Sequence, residues 1–347
     1  MKKIYEFIPL FEKFVQDSKR GKRLKKNGGL IKEGTIQNYE YTLRLVKMFA
    51  IEKKFTLKIP EFNTSNKREF QSVKSYWKKF YKQFTDYCYK DQHHYDNYVG
   101  QVIKNLRVFF NWLKTEKGIF AGDFHKDFYV RKEEVPIITL SKEQFQFLIF
   151  NKEFEESLSK PLQRSKDIFV LGCTVGLRIS DLMLLTKNNI EERDNHTYLR
   201  VKSKKTGTGT CIKLPEYALE ILSKKKRKQK TLFTSISLFR FNANIKKICE
   251  LAGWTSPVAK TRDKKGMPVT VHQENKADKT YRFCDLVSSH TMRRTAITTM
   301  LSLGMPELLV RKISGHSDGS KAFYRYVELA QQFMDKEIEL IHDKLQA

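Results

Sequence analysis

The chain has 347 residues, is 40% hydrophobic and carries a formal net charge of +27 at pH 7. This length is enough for two ordinary domains, and the apolar content excludes a disordered polycation. Such an excess of positive charge favours a polyanionic partner, of which nucleic acid is the commonest, with solubility through surplus lysine as the alternative.

The cysteine pattern and the apolar segments indicate where the protein works. Its five cysteines are dispersed without CxxC spacing, which argues against a disulfide framework or a zinc site and fits a reducing compartment. Glu6 and Glu12 interrupt the apolar residues of the first segment, so we expect no signal peptide. Since no stretch approaches the ~20 apolar residues of a membrane span, we expect a soluble intracellular protein without a membrane partner.

Four helices are predicted in the first part of the chain, where apolar residues recur at three- and four-residue steps. They are expected at about 4–16, from Thr35 onward, at 66–88 and at 95–115. The basic segment SKRGKRLKKNGG (18–29) predicts a loop that could lie on phosphates. The sequence therefore predicts a small basic helical domain over residues 1–132. Its aromatic stripes would form the core, with stacking on bases as the alternative.

A linker is predicted at residues 133–140, because Pro136 disfavours a helical conformation of Val135. Ser141 and Gln144 then match the capping box of a new helix. That helix would open a second domain.

The second domain is predicted over residues 141–347. Its helices are expected at about 142–151, 160–175, 180–186, 216–228, 237–252, 289–303, 306–314 and 320–345. A hairpin is predicted at 196–215 around a Thr-Gly-Thr-Gly turn. The polar stretch 257–285 is interpreted as a long connection that could contain a short strand pair.

Four stretches of the second domain carry side chains suited to chemistry: GLRISDL, KKTGTG, SSHTMRRT and SGHSDGSKAFYRYV. Taken singly, each has a structural alternative, such as a helix cap, a solvated lysine or packed aromatic rings. The candidate residues in chain order are Arg178, Asp181, Lys205, His290, Arg293, His316, Tyr324 and Tyr326.

These residue types suit phosphoryl transfer without a metal. The histidines lack HxxxH or HxxE spacing, no acidic cluster resembles a two-metal nuclease, and there is no GxxxxGK[ST] loop. Guanidinium groups can clamp the non-bridging oxygens of a phosphodiester, and lysine or histidine can protonate the leaving oxygen. A tyrosine hydroxyl can attack if nearby positive charge counters its ordinary pKa of about 10.

In their order, these motifs resemble the tyrosine recombinase, or phage integrase, family. The resemblance covers about residues 140–330, and the basic helical domain is similar to the core-binding domain of that family. The polar segment before SSHTMRRT resembles integrases from mobile elements of Bacteroidetes-type bacteria. The implied fold is mainly α with a small β component. It consists of an N-terminal four-helix SAM-like core-binding domain and an α+β catalytic domain.

The resemblance also implies an activity. One DNA strand at a time would be cleaved through a 3′-phosphotyrosine, which a 5′-hydroxyl of the partner duplex then attacks, and no cofactor is needed. The implied partners are double-stranded DNA and three further copies of the chain in a DNA-bound tetramer, with a monomer or weak oligomer when free. The implied location is the bacterial cytoplasm, in association with the nucleoid. The alternatives are a DNA-binding protein of the same fold that does not cut and a type IB-like topoisomerase.

The motifs assign implied roles to individual residues. Arg178 and Arg293 would bind the scissile phosphate, and Lys205 would be the general acid for the leaving 5′-oxygen. His290 would assist proton transfer at the tyrosine, and His316 would hydrogen-bond a phosphate oxygen.

Asp181 would orient the site rather than react. Lys204 and Arg294 each adjoin an assigned residue, which leaves those two assignments open by one position, although the His-x-x-Arg spacing favours Arg293.

Tyr326 is favoured as the nucleophile over Tyr324. It lies ten residues after His316, and the resembled family has a gap of about nine or ten, whereas Tyr324 lies only eight residues after it. On a helix the two tyrosines point about 200° apart, so only one can reach a given phosphate. Tyr326 is also nearer to the centre of the helix's apolar face.

Two basic clusters are candidate phosphate contacts, and a solvated surface explains each equally well. They comprise Lys19, Arg20, Lys22, Arg23, Lys25 and Lys26 in the first domain, and Lys224, Lys225, Lys226 and Arg227 in the second.

The last twenty residues carry five acids against two lysines, which makes a contact with DNA improbable. Helix spacing of apolar side chains predicts an amphipathic segment that docks on protein. The residues concerned are Met334, Ile338, Ile341 and Leu345. In the resembled family this segment reaches into a neighbouring subunit, and packing on its own domain is the alternative.

Overall fold

The computed structural model describes residues 3–62, 64–204, 207–224, 230–273, 280–317 and 319–346. The chain divides into two compact units. The first contains Met1–Val135 together with Lys260–Val271, and the second contains Pro136–Ala259 together with His272–Ala347. Among the described residues, no helix is both long and apolar enough to cross a membrane.

The secondary structure is mainly helical. The helices are α1 Phe7–Lys19, α2 Glu33–Glu52, α3 Lys67–Lys90, α4 Asp96–Glu116, α5 Lys142–Phe150, α6 Lys152–Ser157, α7 Lys160–Val175, α8 Ile179–Leu182, α9 Glu216–Ser223, α10 Leu238–Leu251, α11 Phe283–Leu286, α12 Ser289–Ser302, α13 Glu307–Ser314 and α14 Lys321–Gln346. The strands are β1 Ile4–Glu6, β2 Lys58–Pro60, β3 Ile190–Arg193, β4 His196–Lys202, β5 Gly209–Lys213, β6 Pro257–Val258, β7 Thr261–Lys264, β8 Met267–Thr270 and β9 Tyr281–Arg282.

Helices α1 to α4 build the first unit around an aromatic core, as their apolar stripes predict. The rings of Phe11 and Phe109 stack with their centroids 4.5 Å apart, and Phe80 stacks on Phe84 at 5.4 Å. All four rings are fully buried, so here they serve packing. Residues 4–6 differ from the predicted helix start, because they pair with β2 as an antiparallel strand.

The hairpin β7–β8 was expected within the second domain, but its contacts group it with the first unit. The buried carboxylate of Asp96 accepts hydrogen bonds from the backbone N–H groups of Lys265 and Gly266, each at 2.8 Å. The Glu133 carboxylate accepts from Arg262 Nε at 2.9 Å and from the Asp263 N–H at 2.6 Å. Two buried acids therefore bind the hairpin to the helical unit.

The turn of this hairpin requires a glycine. Gly266 has a φ of +81°, and a Cβ at this position would lie 2.9 Å from Nη1 of Arg131. The left-handed backbone therefore disfavours any larger residue, whereas the end of the flexible Arg131 side chain could move aside.

In the second unit, α12 packs between α7 and α14 and carries part of the motif set. The close approach of α7 and α12 occurs at Gly172, where a Cβ would lie 2.3 Å from the Met292 sulfur. Strands β3, β4 and β5 form an antiparallel sheet in that order. The predicted capping box of Ser141 and Gln144 is present at the start of α5.

Asp96→Asn is expected to loosen the hairpin. The Asp96 carboxylate accepts from two backbone N–H groups, and the NH2 group of an asparagine cannot accept from the N–H group that it would face. We expect a loss of about 2 kcal/mol in local stability, since a buried donor is left without its partner. Hydrogen exchange of the Lys265 and Gly266 amides measures this loss directly. The control is Asp91→Asn, which removes a partly exposed ion pair with Lys53 and should change little. Equal exchange in both variants would contradict the account.

Candidate active site

Arg293 occupies the centre of the candidate site and ties together the ends of two helices. It projects from α12, is only 6% exposed, and donates from Nη1 to the carbonyl of Gly176 at 2.9 Å. Its Nη2 donates to the carbonyl of Ser314, the last residue of α13. Gly176 ends α7 in the left-handed conformation, with φ at +65°. The side chain of Arg293 therefore fixes where the chain leaves α7 and α13.

Arg178 follows that glycine closely and is linked to the β4–β5 hairpin. Its Nη1 donates to Ser203 Oγ at 3.2 Å, and Ser203 in turn donates to the buried carboxylate of Asp181 at 3.1 Å. The backbone N–H of Lys204 donates to the other oxygen of Asp181 at 3.2 Å. Asp181 thus holds the base of the hairpin turn against Arg178.

His316 is positioned by the turn after α13. Gly315 ends that helix in the left-handed conformation, with φ at +62°. Nδ1 of His316 lies 2.7 Å from Ser314 Oγ. The imidazole ring is 5.4 Å from the buried ring of Phe323 and 5.9 Å from the ring of Tyr326, measured between centroids. The histidine therefore lies against the first turns of α14.

The two tyrosines of α14 point to different surroundings. Tyr326 is half-buried and packs against the small apolar cluster that contains Phe323. Tyr324 is 47% exposed, and its ring centroid lies 4.9 Å from the guanidinium carbon of Arg311. Only Tyr326 of the two has a ring contact with His316 among the described contacts.

Burial and positive charge set the protonation states of the site. Burial lowers the pKa of Arg293 to about 10, with Arg178 adding to the decrease and Tyr326 and Asp181 opposing it. Burial also lowers the pKa of His316 to about 4, assisted by Arg293, Arg178 and Arg311. At neutral pH Arg293 is therefore charged, and the imidazole of His316 is neutral.

The structure brings together five of the predicted residues: Arg178, Asp181, Arg293, His316 and Tyr326. His290 lies exposed in the first turn of α12, one turn before Arg293, and Arg294 is half-buried beside it. Lys205 lies outside the described residues. In the described ranges, no cluster of His, Cys, Asp or Glu could hold a metal ion.

Four residues of the site were not singled out from the sequence. Ser203, Lys312 and Ser314 line one narrow crevice together with Arg178 and Arg293. Arg311 is buried against Phe323, its guanidinium carbon 4.5 Å from the ring centroid. The spacing of these four residues in the sequence indicates their place in the site only weakly. Arg311 and Ser314 lie one turn apart just before Gly315, and Ser203 precedes the lysines of the hairpin.

The prediction of a phosphate contact is wrong for Arg23. This side chain is 7% exposed, donates from Nη1 to Ser18 Oγ at 2.7 Å, and places its guanidinium carbon 3.9 Å from the Phe14 ring centroid. Its charge therefore stabilises the loop from inside rather than facing solvent. Other members of that cluster are exposed: Lys19, which pairs with Glu40, and Arg20, Lys22, Lys25 and Lys26.

The second basic cluster is described only at Lys224. Its ammonium lies 2.6 Å from Glu155 and 3.2 Å from Asp167, so two carboxylates already engage it. Lys225, Lys226 and Arg227 lie outside the described residues.

The solved structures to which this chain is similar include site-specific recombinases and integrases. A lambda integrase dimer bound to a COC′ core site matches with a TM-score of 0.59 at 14% identity, over 94% of this chain and 78% of that one. The XerH site-specific recombinase bound to difH substrate matches at 0.58 and 12%, over 97% and 85%. The Tn1549 transposon integrase in complex with circular intermediate DNA matches at 0.56 and 15%, over 92% and 94%. No curated protein sequence gives a match.

The sequence itself identifies the family. Residues 146–332, more than half of the chain, match the phage integrase family. The chain therefore belongs to the phage integrase family and is a tyrosine site-specific recombinase.

Ser203→Ala is expected to slow strand cleavage about tenfold or more, because Arg178 and Asp181 lose the hydroxyl that joins them. Hydrogen bonds to charged groups contribute roughly 1.5–3 kcal/mol, and 1.4 kcal/mol corresponds to tenfold in rate. Single-turnover cleavage of a nicked target site measures the effect, and Ser203→Thr should restore part of the rate. Ser223→Ala, on the exposed end of α9, is the matched control. Equal rates for the two alanine variants would contradict a positioning role.

Proposed function

We propose that the chain cuts and rejoins DNA at specific sites through a covalent 3′-phosphotyrosine at Tyr326. The observation that carries this proposal is the placement of Tyr326 against His316, while Tyr324 lies on Arg311. The phenol of Tyr326 also lies near enough to Arg293 to influence the pKa of that guanidinium. A tyrosine hydroxyl beside such positive charge is a suitable nucleophile for a phosphodiester.

Arg178 and Arg293 would hold the scissile phosphate. Arg293 is fixed by two carbonyls, and Arg178 by Ser203, so their remaining N–H donors are oriented before DNA arrives. Donors that need no reorganisation stabilise the charge that develops on the non-bridging oxygens most effectively. Asp181 would keep this arrangement rather than react.

The reaction needs one bond to form and one to break at phosphorus. The oxygen of Tyr326 attacks while its phenolic proton passes to His290, the bond from phosphorus to the 5′-oxygen breaks, and Lys205 gives its proton to that leaving oxygen. In the sequence Lys205 follows Ser203 and Lys204, both of which donate hydrogen bonds to Asp181. Rejoining runs the same steps in reverse, with a 5′-hydroxyl as nucleophile. The phosphotyrosine keeps the bond energy, so no cofactor is required.

We propose double-stranded DNA and further copies of this chain as partners. The lambda integrase, XerH and Tn1549 integrase structures are complexes with DNA, and a lambda integrase tetramer is bound to a Holliday junction. By this analogy the chain would act as a homo-tetramer on DNA and be a monomer or weak oligomer when free. Its place of action would be the nucleoid of a bacterial cytoplasm.

Exposed basic residues of the first unit would contact DNA phosphates: Arg20, Lys22, Lys25 and Lys26. The net charge of +27 supports this, because each phosphate contact releases counterions. Arg23 would hold the loop that presents these residues.

Tyr326→Phe is expected to abolish covalent attachment to DNA, because the hydroxyl that attacks phosphorus is removed. The assay is a nicked target site, from which the short fragment that bears the freed 5′-hydroxyl diffuses away, with SDS-resistant adduct as the readout. Tyr324→Phe is the matched control on the same helix and should retain the adduct. An adduct on Tyr326→Phe would contradict the assignment. Strong binding by the wild type without any adduct on a verified site would favour a DNA-binding protein that does not cut.

The C-terminal part of α14 would dock on a neighbouring copy. Met334 and Ile338 lie one turn apart on it and are 38% and 49% exposed. The surrounding residues are predominantly acidic, which disfavours contact with DNA and favours the basic surface of another copy. The apolar strip of Met334 and Ile338, with acidic residues around it, therefore supports docking of α14 on a neighbouring basic subunit.

Replacing both Met334 and Ile338 by serine is expected to reduce assembly of the DNA-bound tetramer at least about tenfold. Each fully buried apolar side chain of this size contributes roughly 1.5–3 kcal/mol. Native gels with a radiolabelled site separate the single-subunit complex from the tetramer, and only the tetramer should decrease. The matched control is Gln331→Ser with Gln332→Ser, both exposed on α14. Unchanged tetramer formation by the Met334/Ile338 variant would contradict the docking proposal.

A further inference from the structure

The loop between α1 and α2 contains a small hairpin that Leu24 and Leu30 close, here called the leucine hairpin. These two residues form an antiparallel bridge. The N–H of Lys25 donates to the carbonyl of Gly29 at 2.8 Å, and the N–H of Gly28 donates to the carbonyl of Lys25 at 2.9 Å. Because residues directly opposite each other on antiparallel strands lie on one face, the two leucine side chains are neighbours.

The base of the leucine hairpin is fixed on the helical unit. Arg23, the residue before Leu24, is buried, with its guanidinium carbon 3.9 Å from the Phe14 ring centroid and 5.8 Å from that of Tyr39. On the other side of the hairpin, Ile31 packs against the same aromatic core. The hairpin is therefore held at both ends, and the position of its leucines is set before a partner arrives.

Both leucines face solvent. Leu24 is 52% exposed and Leu30 is 66% exposed, and neither belongs to the apolar clusters found among the described residues. Exposed apolar residues that are scattered singly need no explanation, but these two are adjacent on a fixed support. Together they form a small apolar surface that is suited to contact with a partner.

The residues around the leucines favour DNA as that partner. Residues 18–32 contain seven lysines and arginines and no acid. Lys22, Lys25 and Lys26 are exposed, and no carboxylate in the described part of the chain pairs with them. The acidic end of another copy, with five acids against two lysines in its last twenty residues, has a net charge of only −3. The dense phosphates of DNA match this concentration of cations better.

The shape of the leucine hairpin favours the major groove. A two-stranded ribbon fits the major groove, which is about 12 Å wide, whereas the minor groove is only about 6 Å wide. The apolar atoms that base edges present in the major groove are the C5-methyl groups of thymine. A ribbon with leucines on one face can therefore contact thymine methyl groups while its lysines reach the phosphates at the edges of the groove.

We propose that the leucine hairpin enters the major groove of the target DNA, where Leu24 and Leu30 contact thymine methyl groups. The lysines of the hairpin bind the phosphates on either side. These phosphate contacts add affinity without regard to sequence, whereas the leucines distinguish thymine from cytosine, which lacks the methyl group. The inference rests on the proposed function and names the bases that this part of the chain reads.

The test is uracil interference on a verified target site bound by the full-length protein. Thymines are replaced by uracil at random, and a gel separates bound from free DNA. Uracil-DNA glycosylase and alkali then reveal the uracil positions in each fraction. We expect one or two thymines at which loss of the methyl group weakens wild-type binding about fourfold each. Leu24→Ala/Leu30→Ala should bind at least about tenfold more weakly and lose interference at those thymines only.

Matched variants separate this contact from effects on folding or charge. Ile51→Ala changes an exposed isoleucine at the end of α2 and should keep the wild-type interference pattern. Lys25→Ala/Lys26→Ala should keep the same interfering thymines. This lysine variant should reduce the slope of log Kd against log salt concentration by about two, because two phosphate contacts are lost.

The same interference pattern for the wild type and the double leucine variant would overturn the proposal. A wild type that is insensitive to uracil at every thymine would overturn it as well. Loss of the DNA-bound tetramer with an unchanged pattern in the single-subunit complex would assign the leucines to a protein contact instead. Failure of the proposed function has a different signature, because the interference pattern records binding and does not depend on the covalent adduct.

Discussion

The N–H donors of a buried guanidinium need hydrogen-bond acceptors. Arg293 donates two hydrogen bonds, one to a carbonyl at the end of α7 and one to a carbonyl at the end of α13. This requirement organises the second unit. The end of α7 leads directly to Arg178, and the end of α13 leads to Gly315 and His316. Loss of Arg293 would therefore leave two carbonyls without partners and displace Arg178 and His316.

The site is electrostatically incomplete without an anion. Arg178, Arg293 and Arg311 all act on His316, whereas Asp181 is the carboxylate that acts on Arg293. Like charges held together in a partly buried site raise the free energy of the empty state. A phosphodiester relieves this repulsion, because its negative charge lies beside the guanidinium groups that repel one another.

Periodic patterns predicted the parts of the fold that depend on local sequence. The helices of both units follow from apolar spacing, and the order of the motifs along the chain indicated the family. The hairpin β7–β8 could not be placed in this way, because its partners Asp96 and Glu133 lie more than a hundred residues earlier. The prediction from charge also placed Arg23 on the surface. The sequence does not distinguish an arginine that packs over a phenylalanine ring from one that faces solvent.

Within the site, the sequence predicted residue types but not the hydrogen bonds that set their states. Nothing in the order of residues indicates that Ser203 joins Arg178 to Asp181, because that link depends on where the hairpin returns. The contact between His316 Nδ1 and Ser314 Oγ likewise depends on the turn that follows α13. Tyr326 was favoured over Tyr324 partly because helical geometry separates neighbouring faces, which is a local property, and this choice stays a prediction.

The most direct test of the account is to identify the tyrosine that carries DNA. Lys321 and Arg325 flank Tyr324, so trypsin releases it within AFYR and places Tyr326 at the start of YVELAQQFMDK. Wild-type protein trapped on a nicked site, digested with nuclease and trypsin and analysed by mass spectrometry, should carry the nucleotide remnant on the second peptide. A remnant on AFYR would contradict the central claim.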